Sequence, residues 1–165
     1  MNSDQVVRAR LLALLRGGQA FMPFDQAVAD FPMEHINRHP PNVGYTPWHL
    51  LEHLRITQWD ILEFIRSPAH VSPTWPDGYW PPPAALADPP AWQHTLAAFQ
   101  DDLGALQAMV ADPATDLYGP LPHAPGYTIL REILVVADHN AYHIGEFARF
   151  CCSRVGRYTT QSKVY

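Results

Sequence analysis

Two pairs of histidines stand at helical spacing: His49 and His53 in TPWHLLEHLRITQWDILEF, and His139 and His143 in LREILVVADHNAYHIGEF. On an α-helix, residues four apart are separated by about 40° and one turn, so each pair shares a face. His139 and His143 fall on one stripe with Ile133, Val136 and Phe147, which turns both imidazoles inward among apolar neighbours. A buried imidazole must satisfy two ring nitrogens, and two stacked in an apolar stripe are unfavourable unless something binds them. A divalent metal does so, because H-x-x-x-H presents two nitrogens to one ion. The plainer alternative is that one ring bonds a backbone carbonyl while the other reaches solvent at a bundle end.

Two ligands do not complete a centre; zinc with an open position takes three protein ligands. His53 is the third on this reading, because Thr57 and Asp60 follow it at one and two turns on a face that can turn inward. His49, in the third position of its helix, lies close to the cap, where an exposed histidine is ordinary. The stretch His49-Leu50-Leu51-Glu52-His53 also reads as H-x-x-E-H, the inverted zincin pattern with two zinc-binding histidines and a glutamate base. That reading leaves His139 and His143 unexplained and finds no strand to hold a peptide. His35, His39, His70 and His123 fall in proline-rich loops as exposed or locally bonded side chains, and His94 faces away from the core.

A metal on three neutral imidazoles keeps its positive charge and at least one open position, where it can lower the pKa of bound water to about 7 or hold a thiolate. Asp60, Glu52 and Glu146 are the nearby carboxylates that could orient an imidazole or act as a base. Asp60 is the first choice as a catalytic residue, lying two turns from His53 on the same side. Glu52 reads as an exposed helix residue. Trp75, Tyr79 and Trp80 either close over the open metal position or cap the apolar end of the bundle.

The elements that must position these residues are set out by 17 prolines in 165 residues. A first helix is expected over Asn2 to Gln19, weakened by Gly17 and Gly18, and a short helical piece over Phe24 to Phe31. A second begins at the Thr46 cap with Pro47 in its first turn and stops near Ser67-Pro68. The following stretch, SPAHVSPTWPDGYWPPPAALADPP, holds eight prolines and cannot form a regular element, yet it is too aromatic for a free linker. A third helix runs from Pro90 to Ala111 with Trp92, Leu96, Phe99, Leu103, Leu106 and Val110 as its seam. The last runs from the Thr128 cap to about Arg154, and a polar tail follows. No alternating pattern longer than a few residues predicts a strand. Four helices with one long connection make an all-α helix bundle.

Composition narrows the function. With 16 acidic against 11 basic residues and a formal charge of -5, the chain lacks the basic footprint of a nucleic-acid binder. No apolar run approaches the ~20 residues needed to cross a bilayer, and the amphipathic N-terminus is not a signal peptide. The adjacent Cys151 and Cys152 cannot build a disulfide framework, which fits a reducing, intracellular compartment. Both are read as small hydrophobic thiols.

Together, TPWHLLEHLRITQWDILEF, the SPTWPDGYWP loop and LREILVVADHNAYHIGEF resemble the DinB-like superfamily, whose relatives include YfiT-type metal-dependent hydrolases and thiol-dependent S-transferases and isomerases. The resemblance covers nearly the whole chain and makes residues 1–165 one DinB-like domain. It implies a four-helix bundle of up-down-down-up path with its long proline-rich connection between helices two and three. It further implies a three-histidine site for a divalent metal, zinc or nickel among others, with ligands His53, His139 and His143 carried over by motif. A cytoplasmic homodimer acting on a small molecule or a low-molecular-weight thiol is the corresponding expectation. The two readings of function are a metalloenzyme that activates water or a thiol, and a non-catalytic metal-binding or interaction bundle.

Overall fold

The computed structural model describes residues 2–152, so the expectations for the polar tail and for the Cys151 and Cys152 side chains lie outside the described residues. The described residues are mostly helical, as expected, and form five α-helices: α1 (Ser3–Arg16), α2 (Phe24–Val28), α3 (Pro47–Arg66), α4 (Pro89–Ala111) and α5 (Ile129–Cys152). Local chemistry sets their ends. Asn2 and Gln5 exchange side-chain to backbone hydrogen bonds in a capping box that starts α1. The helix stops at Arg16 rather than Gln19, because Gly17 turns the chain into the left-handed region at φ 69°. A Cβ there would also press on the Phe21 ring at 3.0 Å.

Helix α2 is shorter than the piece expected to Phe31, since the backbone at Asp30 adopts φ 53° just beyond it. The start of α3 is the one read from sequence: Thr46 Oγ1 accepts the His49 N–H at 3.2 Å, and Pro47 fills the first turn. The helix ends before Ser67, which is extended ahead of Pro68. Asp88 caps α4 by accepting the Ala91 N–H at 2.8 Å, and Thr128 caps α5 by accepting the Arg131 N–H at 3.1 Å. One feature departs from the sequence, in which no alternating pattern predicts a strand. Between α4 and α5, β1 (Pro120–Leu121) pairs antiparallel with β2 (Ala124–Thr128) in a small ribbon. A strand of two residues is too short to show an alternating pattern.

The apolar interior falls into two clusters. An aliphatic one gathers Leu11 and Leu15 of α1, Leu62 and Ile65 of α3, Leu106 and Val110 of α4, and Ile133 and Val136 of α5. An aromatic one gathers Phe24, Phe31, Leu50, Leu51 and Leu54 with Trp92, Phe99 and Phe147. Helices α3, α4 and α5 thus contribute to both, and the α4 seam buries Trp92, Phe99, Leu106 and Val110 fully. Between the stretches that feed the two clusters lie Gln58 and Asp60 on α3 and His139, Asn140 and His143 on α5, with His53 beside Leu54 at the edge of the aromatic one. Gln58 bridges three helices there, its Nε2 donating to the Phe99 carbonyl at 2.7 Å and its Oε1 accepting from Asn140 Nδ2 at 2.9 Å. No helix among the described residues is long and apolar enough to cross a membrane.

This bridge yields a stability test. Gln58→Ala leaves the buried Asn140 amide without its partner and opens a cavity. The expected loss is about 2–4 kcal/mol, read from the urea midpoint at unchanged m-value.

Candidate metal centre

His53 is buried on α3 and faces His139 and His143, which stand one turn apart on α5. Ring centroids are 4.9 Å apart for His53 and His139, 4.8 Å for His53 and His143, and 4.5 Å for the α5 pair. One nitrogen of each ring lies within 4.8 Å of the others, which makes the three a group able to hold a metal ion.

Hydrogen bonding decides what each ring offers. His53 Nδ1 lies 2.8 Å from the Tyr79 carbonyl, which can only accept, so Nδ1 carries the proton and Nε2 keeps its lone pair. His143 Nδ1 donates to Glu146 Oε2 at 2.7 Å, and Nε2 is again left to ligate. Glu146 is held in turn by the Tyr45 hydroxyl, which donates to Oε1 at 3.1 Å. Burial and the neighbouring carboxylate push the Tyr45 hydroxyl up to about 12, so it remains a donor. A carboxylate behind an imidazole, itself anchored, is the usual support of a metal-binding histidine.

The Nε2 atoms of His53 and His139 stand 3.1 Å apart. Since His53 Nε2 has no hydrogen, the contact is an N–H of His139 donating to the His53 lone pair. With the His139 proton on Nδ1 instead, a cation between the two Nε2 atoms would meet both lone pairs, and the separation is close to the ~3.3 Å edge of a tetrahedron with metal–nitrogen bonds of about 2.0–2.1 Å. Burial, then the adjacent imidazoles, drives His139 down to about 3, and burial drives His53 down to about 4. Near neutral pH both rings are therefore uncharged, the state that binds metal.

A cavity of about 430 Å³ adjoins the three rings, lined also by Thr57, Asp60, Trp75, Tyr79 and Trp80. The aromatic loop lies on the centre: Trp80 stacks on His53 with centroids 3.9 Å apart and planes 3° from parallel. Trp75, 74% exposed, forms the outer wall. Asp60 shares this cavity, its oxygens 2.7 Å from His70 Nε2 and 2.7 Å from the Tyr79 hydroxyl. Glu146 is the carboxylate that meets a ring of the cluster, and its i, i+3 spacing from His143 was the available signal.

The profile of the DinB superfamily matches residues 18–147. The chain belongs to the DinB superfamily. All three clustered histidines lie inside the matched span, and α1 lies outside it. No curated protein and no solved structure matches the chain.

The remaining histidines of this DinB-superfamily chain are accounted for differently. His49 is buried rather than exposed, because both its nitrogens are used inside the fold. Nδ1 accepts the Thr46 N–H at 3.2 Å and Nε2 donates to the Ala85 carbonyl at 3.0 Å. Glu52 is not the exposed helix residue expected but half-buried, because it binds Arg55 at 2.6 Å and accepts the Thr95 hydroxyl of α4 at 2.8 Å. With His49 and Glu52 so engaged, H-x-x-E-H does not form a zincin centre. His70 is neither exposed nor bonded within its loop but an enclosed partner of Asp60, ten positions away on α3. His94 is exposed on α4, as the seam requires.

The depressed imidazoles give a pH dependence of known sign. In the unfolded chain His53 and His139 take a proton near pH 6.5, whereas in the folded, metal-free chain they resist it down to about 4 and about 3. The unfolded state binds more protons within this window, so folding stability is present above pH 6.5 and falls as the pH drops toward 4. Urea midpoints of the metal-free protein should decline over that range, and His53→Phe or His139→Phe should flatten the decline.

Proposed function

We propose that the protein is a divalent-metal protein, with zinc or nickel held by His53, His139 and His143, and that it activates water or a low-molecular-weight thiol toward a small-molecule substrate. The carrying observation is that the Tyr79 carbonyl and Glu146 occupy the outer nitrogens of His53 and His143, leaving Nε2 of each turned to the centre. A bound divalent ion would supply positive charge and an open position at which a small nucleophile loses its proton. Asp60 is assigned as proton acceptor, because it lines the same cavity and a carboxylate offers about four lone-pair sites, of which His70 and Tyr79 take two. Trp75 and Trp80 limit water on the cavity's outer side. A neighbouring cavity of about 260 Å³ shares Asp60 and Ile61 and gives a substrate room beyond the centre.

The chain path we read is up-down-down-up through α1, α3, α4 and α5. It is supported by paired contacts: Glu52 meets Thr95 and Gln58 meets Phe99 in the same order, while Gln58 meets Asn140 and Tyr45 meets Glu146 in reverse order. A homodimer through α5 accords with the exposed Leu134, Val135 and Tyr142 on that helix. The reduced state expected of Cys151 and Cys152 accords with a cytoplasmic location.

Elemental analysis of protein purified without a histidine tag tests the metal reading. One divalent ion per chain is expected, retained in His49→Ala and lost or reduced to a trace in His53→Ala and His143→Ala. Full stoichiometry in either of the last two variants removes the three-histidine assignment. A screen of thiol transfer and hydrolysis on the loaded protein then separates the enzyme from a non-catalytic metal-binding bundle. Asp60→Asn should lower any activity found by about 10²–10⁴-fold.

A further inference from the structure

Asp60 makes both of its side-chain hydrogen bonds to the connection between α3 and α4. Its Oδ1 is 2.7 Å from His70 Nε2, and its Oδ2 accepts the Tyr79 hydroxyl at 2.7 Å. The His70 side chain is only 8% exposed, and its ring stands edge-on to Trp59 at 5.2 Å. Within this connection the chain folds on itself. The Gly78 N–H donates to the Thr74 carbonyl at 2.7 Å, Tyr79 N–H to Pro76 at 3.1 Å, and Trp80 N–H to Asp77 at 3.3 Å. Gly78 sits so close to Pro73 that a Cβ would lie 2.9 Å from the Pro73 Cβ. Such a turn is displaced as one piece, so anchoring the Tyr79 hydroxyl also anchors the Tyr79 carbonyl and the Trp80 ring.

Those two groups hold His53: the carbonyl takes its Nδ1 proton at 2.8 Å and the indole covers its face at 3.9 Å. A neutral imidazole without a fixed acceptor exchanges between two tautomers, and the one protonated at Nε2 has no lone pair to turn toward His139 and His143. We infer that Asp60, acting through His70 and Tyr79, is a positioning residue for His53: the clasp commits the ring to the tautomer protonated at Nδ1 and thereby raises the metal affinity of the centre. This role rests on the metal-binding reading and is separate from proton transfer by Asp60. Linkage makes the coupling reciprocal, so metal at His53 tightens the clasp by the factor with which the clasp tightens metal.

The test compares wild type, Tyr79→Phe and the double variant His70→Ala/Tyr79→Phe on the full chain. Zinc affinity is measured by competition with a chromophoric chelator. The His53 tautomer is read in the metal-free proteins from ¹⁵N shifts of the imidazoles, a signal that a merely structural loss would not move selectively. Wild type should show His53 protonated at Nδ1. Tyr79→Phe should bind zinc about tenfold more weakly and the double variant up to about a hundredfold, the range for loss of an outer partner of a ligand. Both should mix the His53 tautomers while the His143 signal, held by Glu146, stays in place. An unchanged tautomer with unchanged zinc affinity in the double variant overturns the inference, even though wild type binds zinc. A mixed tautomer in the variants of a protein that binds no zinc supports the positioning and removes the metal-binding reading instead.

Discussion

A neutral imidazole out of water must find a donor for one nitrogen and an acceptor for the other, and three imidazoles brought together meet that demand on every ring at once. The surroundings of the centre answer to it. Tyr79 supplies a carbonyl for His53, and Glu146 a carboxylate for His143. Those partners need partners of their own, so Tyr45 reaches Glu146 across the fold and Asp60 retains the loop that carries Tyr79. The outer nitrogens of His53 and His143 are satisfied by the protein, and the inner nitrogens of His53 and His139 converge on one shared proton.

Such a polar layer is tolerable because apolar packing on both sides of it is dense. Fully buried Leu62, Leu106 and Ile133 stand on one side, and Trp92, Phe99 and Phe147 on the other. Their burial is the dominant favourable term, and Gln58 with Asn140 satisfies the polar groups that the layer places between α3, α4 and α5. The two clusters also fix the rotation of α3 and α5 about their axes. That rotation brings residues 53, 139 and 143 face to face.

What was legible in the sequence was local or periodic. Thr46-Pro47 opened α3 because cap chemistry operates within a few residues, and the spacing of Trp92 to Val110 identified the buried seam of α4. The H-x-x-x-H pair was visible for the same reason. What remained hidden depended on contacts between distant residues. The acceptor that buries His49 is the Ala85 carbonyl, 36 positions on, and Tyr45 meets Glu146 across 101 positions. Asp60 stood out by its distance from His53, but nothing in the spacing reveals that two residues of an irregular loop converge on it. Loops built from turns carry no period, so their contacts leave no trace in a pattern.

That loop has a property beyond its contacts. An irregular connection that must present one carbonyl at a fixed point forfeits conformational entropy for each residue it orders, about 1–2 kcal/mol at 25 °C, without the hydrogen-bond ladder of a helix in return. Six prolines between Ser67 and Asp88 reduce that loss at its source, since each narrows the freedom of the unfolded chain before the loop docks. The proline excess of this sequence is thus a form of preorganisation: stiffness written into the covalent chain where secondary structure is not available to supply it.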